Sequence, residues 1–315
     1  MHILNGEKSI PANRYYPNFD YIRLWAALQV VAVHTGMGFL AIFDPVTLFI
    51  AVSGFVVLGS MERRNSKEFF LSRALRVLPL LLVSFVAVGI LHGWLAALDN
   101  FLYWLWPWQK LTVVNAVVWT LIYEEILYVV MAILNRLGFY RHYMFPLLLG
   151  TGLAALAYYM GRYVLPGAFQ YFGAAFFIGS ALYLVRQRIE KLPAFAVTLL
   201  LVSSCALAAA GFNYPLGPTG MPVYFLAYTC IIMFCIAGPQ LPKLPIDLSY
   251  SMYLLHLIVL SMMWGHFTMG STMFIVVVSI TTMLGVASWY LVEKPALAIK
   301  AKFGNTELHL STQTS

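Results

Sequence analysis

FDYIRLWAALQVVAVHTGMGF, residues 19–39, is apolar over a membrane-spanning length, yet it carries an arginine, Arg23, and a histidine, His34. A helix needs roughly 20 apolar residues to cross about 30 Å of hydrocarbon, and this stretch supplies them. Arg23 and His34 stand eleven positions apart. At about 100° per residue that is close to three full turns, so both lie on one helix face, about 16 Å apart along the axis. Arg23 alone suits a membrane edge, and His34 alone suits a histidine hydrogen-bonded to a neighbouring helix. What they do together depends on the rest of the chain.

The remainder is of the same kind. Of 315 residues, 61% are hydrophobic and 10% charged, with a mean hydropathy of +0.81. Soluble domains are about 45–50% apolar and about 25% charged, so the composition predicts an all-α integral membrane protein. The net charge of +7 does not point to nucleic acid, because the basic residues lie in short runs between apolar blocks. Three cysteines, Cys205, Cys230 and Cys235, fall inside apolar blocks and imply neither a disulfide framework nor a metal site. Residues 1–19 are polar, with no small-residue cleavage site after the first apolar block, so no removable signal peptide is expected.

Ten stretches are long or apolar enough to count as spans: 20–40, 46–60, 77–98, 113–134, 143–161, 167–185, 194–211, 221–238, 248–265 and 272–292. The second is short and compatible with a re-entrant segment. Asp44-Pro45, Pro107, Gly217-Pro218 and Gly238-Pro239 fall between blocks, where turns belong. An inside N-terminus puts sixteen of the nineteen Lys and Arg residues on the cytoplasmic side. Lys110 and Arg162 alone are outside, and Arg23 closes the inner end of the first span. That asymmetry sets the orientation and predicts cytoplasmic termini. The organisation is then a cytoplasmic segment at 1–19, a transmembrane domain at 20–292 and a cytoplasmic tail at 293–315.

Spans five to eight hold no ionisable residue at depth and read as scaffold or lipid-facing helices; the polar residues gather in spans one, four and nine. A charge at mid-membrane costs about 2.5–3.5 kcal/mol on insertion scales, so such residues mark function. WTLIYEEILYVV (119–130) holds Glu124 and Glu125, with Tyr128 one turn away. Adjacent glutamates point about 100° apart, which suits two different jobs. LSYSMYLLHLIVL (248–260) stacks Ser249, Tyr253 and His256 on one face, a stripe that fits helix packing as well as catalysis. EFFLSRALRVLPLL (68–81) places Arg73 and Arg76 on one face just before Pro79. They suit lipid phosphates, or those of a cytosolic ligand. The tryptophans of FLYWLWPWQK (101–110) read first as an interfacial belt.

In this order the segments resemble the membrane acyltransferase type 3 family, which includes sugar O-acetyltransferases. FDYIRLWAALQVVAVH is similar to its opening helix with Arg23 and His34, and TLFIAVSGFVVLGS to its second, ending in Ser53, Gly54 and Phe55. FFLSRALRVLP resembles its Arg-x-x-Arg, and VVWTLIYEEILY its Trp-Thr-Leu-x-x-Glu-Glu-x-x-Tyr block. LSYSMYLLH and YLVEKP are similar to its last two helices. Ile22 and Tyr123 depart from its usual residues without removing an ionisable group.

The resemblance implies an inner-membrane, multi-pass O-acyltransferase. It would take acetyl, or another acyl group, from cytosolic acyl-CoA to a hydroxyl of a saccharide or lipid-linked glycan, with no metal. It implies donor binding by Arg23, Arg73 and Arg76. His34 would be general base or transient acyl carrier, oriented by Glu124 or Glu125. Ser53, Tyr128, Tyr253 and His256 would support substrate or structure. The competing reading is a proton-coupled transporter or flippase with His34, Glu124 and His256 as a relay. Against it, no polar pattern repeats between the chain halves, as it often does in inverted-repeat transporters.

Overall fold

The structure is a computed structural model describing residues 14–107, 113–160, 168–210 and 220–299. Lys8, Lys110, Arg162, Lys300 and Lys302, with Trp108 and the Gly217-Pro218 turn, lie outside the described residues. Among those described, the protein is helical with no strand. Its helices are α1 Asn18–His34, α2 Pro45–Glu62, α3 Ser66–His92, α4 Trp94–Leu105, α5 Leu121–Arg136, α6 Met144–Met160, α7 Phe169–Leu184, α8 Arg186–Ile189, α9 Ala194–Ala209, α10 Gly220–Ala237, α11 Ser249–Met263 and α12 Ser271–Ser288. Pro45–Glu62, Ser66–His92, Ala116–Arg136 and Ser271–Ile299 are long and apolar enough to cross a membrane, and five further apolar helices are shorter.

Local chemistry fixes the helix ends nearest the polar centre. Asp44 caps α2 by accepting from the Val46 and Thr47 amides, with Pro45 in the first turn where its missing N–H is harmless. The second apolar stretch therefore makes a full 18-residue helix rather than a short re-entrant segment. Asn65 caps α3 by accepting from the Glu68 amide. That start lies well before the expected boundary at residue 77, so Arg73 and Arg76 sit inside a helix and not at its lip. Gly93, at φ +93°, ends the same helix. The expected third span (77–98) thus divides. Residues 94–105 form the separate helix α4, with Trp94 and Leu95 66% and 80% exposed. The fourth stretch opens as a 3₁₀ segment, Ala116–Thr120, before α5.

The centre of the bundle is α7, which takes the scaffold side of the expectation that spans five to eight are scaffold or lipid-facing helices. Tyr171, Phe172, Phe176 and Phe177 are all buried, whereas α9 does turn Leu199, Leu200 and Val202 outward. The α2–α7 contact is backbone on backbone. A Cβ on Gly54 would lie 1.9 Å from the Phe176 carbonyl oxygen, and one on Gly179 would lie 2.0 Å from that of Ala51. Small residues permit such close approach between apolar helices, and Ser180 Oγ donates to the Gly54 carbonyl across the contact. On the other flank α11 packs between α1, α3 and α12. Its Ser249, Ser251, Tyr253 and His256 are all buried.

Candidate functional site

Two cavities meet inside this bundle. The first is lined by Arg23 from α1, Ser53 from α2, Arg73 and Arg76 from α3, Glu124 and Tyr128 from α5, and Ser249, Tyr250 and Tyr253 from α11. The second is lined by His34 at the end of α1, Asp44 before α2, Trp119 and Tyr224, with a volume of about 380 Å³. Small-molecule sites typically span about 300–1,000 Å³. Val46 and Tyr253 belong to both walls. Tyr253 is held there at its hydroxyl, which donates to the Val117 carbonyl at 2.9 Å and pairs with the Thr120 hydroxyl at 2.6 Å.

The three arginines reach the first cavity in different states. Asp247, in the connection before α11, binds both Arg23, at 3.1 Å, and Arg76. Asp20, one turn before Arg23, holds it a second time. Burial raises the Asp247 pKa, but Arg23 and Arg76, and then the Ser249 hydroxyl and amide, lower it further. The carboxyl ends well below the usual carboxylate range. Arg73 has no hydrogen bond or ion pair among the described residues, and its buried Nε lacks any partner. An unpaired buried guanidinium is costly, which makes Arg73 the cation most in need of an anion.

The two glutamates part company. Glu124 faces the arginine cavity and accepts from the Tyr128 hydroxyl at 2.7 Å and from Ser53 at 3.3 Å. Glu125 is absent from that wall and makes no hydrogen bond or ion pair among the described residues. Neither bonds to His34.

His34 instead meets His256, Nδ1 to Nε2 at 2.9 Å, with the rings stacked 5.0 Å apart. The bonding chain assigns the tautomers. His256 Nδ1 lies 2.8 Å from the Tyr253 carbonyl and 3.2 Å from that of Met252, which only accept, so Nδ1 carries the proton. His256 Nε2 is then an acceptor, and His34 Nδ1–H donates to it. That leaves His34 Nε2 with a free lone pair, on a half-buried ring lining the second cavity. The expected carboxylate partner of His34 is thus replaced by a fully buried imidazole anchored to helix backbone.

The structure therefore gathers Arg23, Arg73, Arg76, Glu124, Ser53 and Tyr128 around one cavity, sets His34 on the other, and leaves Glu125 aside. Sequence reasoning passed over Asp247, Asp44, Thr120 and Tyr250. The signal for Asp247 was present: an acid just before a helix, in a segment expected to be basic.

A family model described as an acyltransferase domain matches residues 16–293, from just before α1 through the helical turn carrying Glu293. No curated protein and no solved structure matches.

Proposed function

The chain belongs to the membrane acyltransferase type 3 family, and from that premise we propose an acyl-CoA-dependent O-acyltransferase of the inner membrane. Its acceptor is a hydroxyl of a saccharide or lipid-linked glycan on the periplasmic side, and its acyl group is acetyl by default. The reading includes ten spans with both termini in the cytoplasm, supported by the asymmetry of Lys and Arg. The observation that carries it is the adjacency of two chemically different cavities. One holds three arginines, of which Arg73 has no anion partner among the described residues, and the other a histidine with its lone pair free.

When bound, acyl-CoA supplies a thioester, an activated carbonyl. Arg73, with Arg23 and Arg76, binds its phosphates on the cytoplasmic side, where paired guanidinia suit phosphate geometry. The wall at Tyr253 and Val46 marks where the acyl end and the acceptor come together. His34 Nε2 removes the acceptor hydroxyl proton as its oxygen attacks the carbonyl. The C–S bond breaks, the new ester C–O bond forms, and the proton passes to the departing thiolate. His256 stays neutral throughout and holds His34 in the tautomer whose Nε2 is basic.

The deciding experiment uses purified protein in liposomes with acyl-labelled acetyl-CoA and a panel of glycan acceptors. Covalent label in the glycan from wild type, lost in His34→Ala, supports the reading. Arg73→Ala is expected to keep kcat and raise the donor KM about tenfold or more, the worth of a charge-assisted hydrogen bond. If a glycan crosses the membrane unchanged and no label is incorporated, the transporter reading takes its place.

A further inference from the structure

A pocket of about 350 Å³ lies between the turn joining α2 to α3 and the end of α5. Arg64, Ser66 and Phe69 line it from one side, and Asn135 and Arg136 from the other. It shares no lining residue with the two cavities of the proposed reaction, which makes no use of it. The wall holds two arginines and no acid. Neutral groups position Arg64: its Nη1 donates to the Ser60 hydroxyl of α2 and, at 3.3 Å, to the Ser72 hydroxyl of α3, and both serines are buried. Arg136, in the last turn of α5, has no hydrogen bond or ion pair among the described residues. Two acids stand near. Glu62 is taken by the Tyr183 hydroxyl and Arg186. Glu68 acts on Arg64 through space but lies outside the wall and forms no ion pair with it.

The surroundings say which anion belongs there. Phe70 and Leu71 follow the lining Phe69 on α3, and Ile133 and Leu137 flank the lining residues of α5; all four are large, apolar and exposed. On a membrane-spanning bundle such a surface faces acyl chains, so the two guanidinia stand at the level where headgroup phosphates meet hydrocarbon. Basic pockets between transmembrane helices at the cytoplasmic side suit anionic headgroups, and a guanidinium matches the geometry of a phosphate. We propose that this pocket binds an anionic phospholipid of the cytoplasmic leaflet. Arg64 and Arg136 clamp its phosphate from two sides, Ser66 and Asn135 offer polar contacts to the headgroup, and the acyl chains run along Phe70 and Ile133. The bound lipid ties the start of α3 to the end of α5. The proposal is independent of the acyl-transfer reading and takes from it only the orientation in the membrane.

The full chain in mild detergent is titrated with phosphatidylglycerol, phosphatidylcholine or glycerol 3-phosphate, and bound molecules are counted by native mass spectrometry. Wild type is expected to hold one phosphatidylglycerol more tightly than phosphatidylcholine. Arg136→Ala is expected to weaken phosphatidylglycerol about tenfold or more, the worth of one charge-assisted contact, and to leave phosphatidylcholine unchanged. Arg136 is exposed, so its removal leaves the packed interior alone; melting temperature in phosphatidylcholine confirms the fold. Arg64→Ala with Arg136→Ala is expected to abolish the preference. Lys67→Ala removes an exposed cation of the same α3 turn from outside the wall and is expected to keep it. Loss in Lys67→Ala equal to that in Arg136→Ala makes the effect one of general surface charge and overturns the proposal. So does an undiminished preference in the double variant. Displacement of the lipid by glycerol 3-phosphate at matched concentration makes the pocket a site for soluble anions and overturns it as a lipid site.

Discussion

Replacing His256 by alanine tests the least expected contact in the protein. The substitution removes the acceptor of His34 Nδ1–H, in a place where His256 is fully buried. A buried donor left without a partner costs about 1–3 kcal/mol. His34 can escape that cost by moving its proton to Nε2, but an Nε2–H cannot take a proton from an acceptor. At 1.36 kcal/mol per tenfold in rate, kcat should fall roughly 5- to 150-fold. The donor KM should hold within about twofold, because the arginine cavity is untouched. The Gln variant keeps an acceptor oxygen on a side chain of comparable reach and should recover most of the loss. Steady-state label transfer in liposomes supplies both parameters, and thermal unfolding confirms that each variant is folded. The acid limb of the pH–rate profile should also move in His256→Ala, which a merely space-filling residue would not bring about. A folded His256→Ala protein with wild-type kcat refutes the tautomer argument. Equal losses in the Ala and Gln variants reduce His256 to packing.

Gly54→Ala drives a methyl group into the Phe176 carbonyl and should exceed the usual overpacking penalty of about 1–3 kcal/mol. Gly152→Ala, with open space around its Cβ, should be neutral; comparable melting temperatures for the two contradict the close α2–α7 contact. Glu124→Ala strands the Tyr128 and Ser53 hydroxyls and should destabilise by about 1–3 kcal/mol, whereas Glu125→Ala should stay within about 0.5 kcal/mol; the ranking can be read from denaturation in mild detergent. Asp247→Asn tests the arginine clamp. A carboxyl depressed in the folded state contributes stability that is fully present above its unfolded pKa, about 3.9, and that is lost as pH falls through the folded value. The variant should therefore lie about 1–3 kcal/mol below wild type at pH 7, with the gap narrowing once pH drops under about 3.9. A gap independent of pH would mean that Asp247 acts by shape alone.

Much of this architecture could be read from residue order. Apolar length located the helices, and the positions of Arg23 and His34 on one helix predicted a polar line through the bundle. The break at Gly93 was harder to foresee, because 77–98 is apolar on both sides of it and only the positive φ of one glycine turns the chain. The centrality of α7 was hidden for a related reason: a helix buried on all sides and one facing lipid are both uniformly apolar. Helical phase placed Glu124 and Glu125 in different roles but could not say which of them met His34. The answer, His256, comes from 222 residues away and depends on how α1 and α11 cross. Asp247 was obscured by charge counting, which reads a cytoplasmic connection for its lysines and arginines and passes over an acid that binds Arg23 of α1 and Arg76 of α3.

The wall shared by the two cavities bears on the membrane potential. In the orientation proposed above, the two cavities open to opposite faces, so the voltage drop would concentrate across what separates them, Tyr253 and Val46. One elementary charge moved through the full drop is worth about 2.3 kcal/mol per 100 mV. In the proposed reaction the phosphates stay on the arginine side and the acyl group that crosses is neutral. The single charge to traverse the wall is the proton that His34 takes from the acceptor and delivers to the thiolate. Each turnover then carries one positive charge inward, so an inside-negative potential favours transfer. The wall that this proton would have to pass is fixed by the Tyr253 hydroxyl, held by Thr120 and Val117.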